Sequence, residues 1–83
     1  MDDLTLAVFE LARAQLSAAG GELPGPDAGL REAGLGSLET VRLMLAVEAR
    51  FGVQFPADLL RPEVFSTPRT LARAVRSLLG ARD

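Results

Sequence analysis

The chain predicts an all-α fold: a small four-helix bundle of three longer helices and one short irregular helix, without a sheet. Three observations carry this expectation. Apolar residues recur at three- and four-residue spacing over three separate stretches. Ala and Leu, both strong helix formers, dominate the composition. The breaks between the stretches are built from Gly and Pro, and the one alternating run, Val53-Gln54-Phe55, is too short for a sheet strand.

The first helix starts at Asp2 or Asp3, either of which can cap it and complement its dipole. Leu4, Val8, Leu11, Ala12 and Leu16, with Phe9 at the edge, form its apolar face, and Gly20-Gly21 stops it near Ala19. Residues 20–36 are a long connection rich in Gly and Pro, pinned by Leu23 and Leu30, with one helical turn at Leu30–Ala33 ended by Gly34. Glu22 and Asp27 in it are read as solvated, not as metal ligands, because a hard cation needs several oxygen donors. The second helix runs from Ser37 or Leu38 to Phe51, with Gly52 as its left-handed stop. Pro56 opens the short segment Ala57–Leu60, Pro62 interrupts it, and Pro62–Phe65 forms a second brief turn. Thr67-Pro68 is a cap followed by a first-turn proline. The last helix then carries Leu71, Val75, Leu78 and Leu79 inward and Arg69, Arg73 and Arg76 on a solvated side, closes at Gly80 and frays over 81–83.

Composition narrows the function. The 83 residues suffice for one domain, 1–83, with a modest core of Leu, Val, Ala and four Phe. There is no cysteine, histidine or lysine, so disulfides, thiolate chemistry and the usual bases for activating a serine nucleophile are all missing. A net charge of −2 without a basic run argues against nucleic acid, and no stretch is apolar for the roughly 18 residues of a membrane span. Asp2-Asp3 has the wrong sign for a signal peptide, so a cytoplasmic, monomeric protein is expected.

The second helix holds the functional signal. At about 100° per residue, Thr40, Leu43, Met44, Val47 and Phe51 fall on one arc, while Leu38, Val41 and Leu45 fall on nearly the opposite one. A helix in so small a bundle needs only one buried stripe. The second stripe is either covered by another segment or offered to a partner's groove, with Glu39, Arg42, Glu48 and Arg50 flanking it. Ser37 stands where this helix begins. As an N-cap its hydroxyl would accept a backbone hydrogen bond, and the same position favours an anion such as an esterified phosphate.

The run Gly34-Leu35-Gly36-Ser37-Leu38, followed by Glu48-Ala49-Arg50-Phe51-Gly52-Val53-Gln54-Phe55-Pro56, resembles the acyl and peptidyl (aminoacyl) carrier proteins. The resemblance is close over residues 30–56, and length and helix order extend it over the chain. It implies a bundle of acyl-carrier type with phosphopantetheine attached to Ser37 by a phosphopantetheinyl transferase. It further implies an acyl or aminoacyl group held there as a thioester. A ligase, adenylating enzyme or acyltransferase would load that group, and downstream synthases of fatty-acid, polyketide or nonribosomal-peptide-like biosynthesis would use it. Leu38, Val41, Arg42, Leu45 and Glu48 would dock partners, with no catalysis by the chain itself. Val64 and Phe65 would border the space of the acyl chain or arm, although core packing alone accounts for both. Two departures stand out. Gly36 replaces the usual Asp before the serine; the family includes stand-alone carriers with a small or neutral residue there, some of them loaded with amino acids by dedicated ligases. Arg42 replaces a usual acid, so that Glu39 and Glu48 are balanced by Arg42 and Arg50. The alternative is an unmodified carrier-like domain that uses the same stripe as a protein–protein interaction module.

Overall fold

The computed structural model describes residues 1–80. It contains α1 (Asp3–Ala18), α2 (Ser37–Phe51), one 3-10 turn (Ala57–Leu59) and α3 (Pro68–Gly80). α1 packs against both other helices. Its Val8, Ala12 and Leu16 meet Leu43 and Val47 of α2 and Leu71, Ala72 and Val75 of α3 in one core. Thr5, one turn before Val8, is also buried.

The all-helical architecture holds, and the expected short irregular helix is present only as a single 3-10 turn. Pro56 and Pro62 lie six residues apart, and a proline inside a helix loses a hydrogen bond and clashes with the preceding turn. The segment between them is therefore limited to the three residues Ala57–Leu59, followed by a turn over 62–65. The start signals of α1 and α3 and the stop signal of α2 act where expected. Asp2 caps α1, its Oδ1 accepting from the Thr5 N–H at 2.7 Å. Gly52 ends α2 with φ at 65°. Thr67 and Thr70 exchange hydrogen bonds at the start of α3, with Thr67 Oγ1 accepting from the Thr70 N–H at 3.1 Å and Thr70 Oγ1 from the Thr67 N–H at 3.0 Å. The fraying expected over 81–83 lies outside the described residues.

The long connection is stitched to the start of α3. Leu23, Leu30 and Leu35 are buried in the core. The Leu30 N–H donates to the Ser66 carbonyl at 2.9 Å, and the Arg69 N–H to the Pro26 carbonyl at 2.9 Å. Gly34, at φ 113°, reverses the chain so that the Leu35 N–H donates to the Leu30 carbonyl at 2.9 Å. A side chain at this φ would be strained.

Two residues of the arginine side are not free in solvent, as the sequence reading had them. Arg69 Nε donates to Asp27 Oδ1 at 2.7 Å, and Arg76 donates to Asp2 Oδ2 at 2.6 Å. Asp27 stays exposed to solvent while paired with Arg69. The Thr5 hydrogen bonds, aided by Arg76, lower the Asp2 carboxyl from 3.8 to about 2. Arg69 lowers Asp27 in the same way. A carboxyl depressed in the folded state contributes stability that is complete above its unfolded value and vanishes as pH falls through the folded one. Acid titration followed by circular dichroism is therefore expected to show stability falling between about pH 4 and pH 2. In Asp2→Asn that fall should be shallower; an unchanged slope would remove Asp2 from this role.

Candidate functional site

The site is assembled by the turn that leads into α2. Buried Leu35 anchors the chain just before it, and Gly36 is the N-cap residue. Ser37 is therefore the first helical residue, not the cap. Serine is a preferred cap, but here Gly36 takes the extended cap conformation and Glu39 reaches back to it. Glu39 Oε1 accepts from the Gly36 N–H at 2.9 Å, the half of a capping box that needs no cap side chain. The Thr40 N–H and Oγ1 both donate to the Gly36 carbonyl, at 2.9 and 2.8 Å.

Relieved of capping, Ser37 is exposed, and its hydroxyl makes no hydrogen bond among the described residues. It stands at the positive end of the α2 dipole, beside first-turn N–H groups that have no intrahelical acceptor. A groove of about 580 Å³ opens next to it, walled by Arg31, Leu35, Thr40, Pro62 and Phe65 among others. Phe65 packs its ring 5.5 Å from that of Phe55, centroid to centroid. Val64 does not line this groove: it is buried in the core.

Along α2 the two arcs separate cleanly. Leu43 and Val47 are 0% exposed, whereas Leu38 is 57%, Val41 49% and Leu45 54% exposed. Arg42 is exposed beside them. Glu48, expected on the docking surface, turns to the chain itself: its Oε2 accepts from the Phe55 N–H at 2.8 Å and holds the segment that leaves α2. That pairing and the role of Glu39 at Gly36 were both missed in the sequence. The Glu39 pairing had a signal, since a glutamate three residues after a cap position marks a capping box.

The pattern of the phosphopantetheine attachment site family matches residues 7–75. The chain belongs to this family of phosphopantetheine-binding carrier proteins. The carrier is 33% identical over 69 residues to the "Aminoacyl carrier protein" of Agrobacterium fabrum, spanning 76% of this chain and 83% of that one. It is 43% identical over 54 residues to "Aminoacyl carrier protein 1" of Bradyrhizobium diazoefficiens, spanning 65% of this chain and 60% of the relative. Among solved structures, it superimposes with a TM-score of 0.84 and 32% identity on a chain of the Bradyrhizobium japonicum glycine:[carrier protein] ligase complexed with its cognate carrier protein and an analogue of glycyl adenylate. That match covers 92% of this chain and 99% of the other. The corresponding complex with glycylated carrier protein matches with a TM-score of 0.81 at 32% identity, over 88% and 99% of the two chains.

The carrier is not a catalyst but the substrate on which its partners work. Its prosthetic group is covalently attached phosphopantetheine. The surroundings of Ser37 fit such a group: an exposed hydroxyl without an internal partner, a positive helix end for the phosphate, and an open groove alongside. Among the described residues, no helix is long and apolar enough to cross a membrane.

Proposed function

We propose that the carrier holds an amino acid, and that Ser37 is its attachment residue. The observation that carries this reading is the exposed, internally unbonded Ser37 at the first position of α2, in a fold similar to chains solved with an amino-acid ligase. Bound phosphopantetheine supplies a terminal thiol that holds a carboxylic acid as a thioester. The protein's own residues do the rest. The stitched turn from Leu30 to Leu35 fixes the base of the arm, and the α2 dipole favours the phosphate on Ser37. Leu38, Val41, Arg42 and Leu45 offer a partly apolar, partly basic docking surface. Phe65 and the groove beside it receive the arm when no partner does, while Val64 supports that wall from the core. The irregular segment from Pro56 to Phe65 serves as the fourth element of the bundle.

The partners in this reading are a phosphopantetheinyl transferase, an adenylating amino-acid ligase and downstream synthases that remove the aminoacyl group. The chain acts as a single-domain, cytoplasmic monomer. Attachment to a flexible arm raises the concentration of the amino acid at each partner site without any new contact. The test is intact mass after incubation with coenzyme A and a broad-specificity transferase, then with ATP, amino acids and an amino-acid ligase of the matched type. A gain of one phosphopantetheinyl group, followed by one aminoacyl group, is the expected result. A protein that gains no group, even with a transferase from its native source, would be the unmodified interaction module instead.

A further inference from the structure

The exposed stripe of α2 has a cation set among its apolar residues. Arg42 stands four residues from Leu38 and three from Leu45, so it lies beside both on the helix surface. It is exposed and forms no ion pair among the described residues. Glu39, three residues earlier, is spaced to pair with it but folds back to the Gly36 N–H at 2.9 Å. Glu48 turns to the Phe55 N–H at 2.8 Å. Both acids of α2 are thus half-buried and engaged with the chain itself, whereas both of its arginines are exposed. Arg50 lies over the ring of Phe51, a residue of the opposite arc, 5.0 Å from the centroid. Within the stripe, the exposed charge is that of Arg42.

A partner that seals Leu38, Val41 and Leu45 from water covers the Arg42 guanidinium as well. Covering a charge without an opposite one is strongly unfavourable, while a carboxylate meets the planar guanidinium through two parallel hydrogen bonds. We propose that the loading ligase presents an apolar surface with a carboxylate opposite Arg42, and that this pair selects the ligase among partner enzymes. This rests on the aminoacyl reading and on the docking stripe, and adds the sign of the partner's charge. The same residue disfavours any enzyme whose docking surface is cationic, because two like charges would be brought together inside the contact. Lysine is not an equivalent of Arg42 here, since an ammonium lacks the fork that matches a carboxylate.

The test uses the phosphopantetheinylated carrier with the glycine:[carrier protein] ligase of Bradyrhizobium japonicum, ATP and glycine, at low ionic strength. Arg42→Ala is expected to raise the KM for the carrier about three- to fivefold, and Arg42→Glu about twentyfold, with kcat nearly unchanged. Raising the salt should narrow both gaps, since screening weakens the attraction in the parent and the repulsion in Arg42→Glu. Arg50→Ala removes the same net charge from the same helix and should keep the KM of the parent. Thermal melts that coincide with the parent's confirm that each variant is folded. A KM unmoved by both Arg42 variants, or lowered by Arg42→Glu, would overturn the inference. So would an effect of Arg50→Ala as large as that of Arg42→Ala, which would make it one of net charge rather than of a contact. A phosphopantetheinylated parent that takes up no amino acid from ligases of this type would instead overturn the aminoacyl reading.

Discussion

Ser37→Ala is expected to abolish phosphopantetheine attachment and leave the fold untouched. On the proposed reading the Ser37 hydroxyl is the atom esterified, so the loss should be complete; of the other serines, Ser17 is near the end of α1, Ser77 lies inside α3, and Ser66, which also lines the groove, precedes α3 rather than opening α2. The stability of the variant should stay within about 0.5 kcal/mol of the parent, as for other surface changes. A serine cap replaced by alanine would cost about 1 kcal/mol. That cost does not arise here, because Gly36 and Glu39 close the helix without the Ser37 hydroxyl. Urea unfolding of both proteins beside their intact masses makes the comparison. Attachment surviving in the variant would move the site elsewhere, and a loss of 1 kcal/mol or more would return Ser37 to capping.

The second large effect is a contrast between two neighbours on α2. Leu43→Ala removes a fully buried side chain from the core and is expected to cost about 2–5 kcal/mol. For a domain of this length that is a large share of a total of roughly 4–12 kcal/mol. Val41→Asp, two residues earlier, lies on the exposed arc and should leave the unfolding midpoint nearly unchanged. Its effect should appear in loading, as a KM for the ligase raised tenfold or more, since a buried unpaired charge in a docking patch costs several kcal/mol. Urea melts and ligase kinetics on the two variants settle the matter. Unfolding of Val41→Asp would place the second stripe in the core, and unchanged KM would take it out of docking.

That contrast was legible in the sequence because both arcs of α2 follow from one period of 3.6 residues, and periodicity is a strong signal in a helix of four turns. Gly52 and Thr67-Pro68 were legible for a related reason: stop and start signals are local and chemically specific. The cap of α2 was less so. Serine and glycine stood side by side, and only the reach of Glu39 decides between them. The short irregular helix shrinks to one 3-10 turn between two prolines, whose spacing the sequence displays. The pairs Asp27–Arg69 and Asp2–Arg76 left no trace in the sequence. Their partners are 42 and 74 residues apart, and an arginine facing solvent reads the same whether or not a distant carboxylate meets it. Glu48 misled for the opposite reason, since its position on the flank of α2 suited docking as well as the hydrogen bond to Phe55 that it makes.

Ser37 and the exposed stripe share one rigid helix, and this has a consequence for every enzyme the carrier visits. With a rise of about 1.5 Å per residue, Val41 and Leu45 stand about 6 and 12 Å along the axis from Ser37. A partner that closes on those two residues thereby fixes the distance from its docking patch to the root of the arm. On the proposed reading of Ser37 as the arm's root and of Val41 and Leu45 as docking residues, each partner would have to place its site at one common offset from its docking patch, with α2 as the gauge.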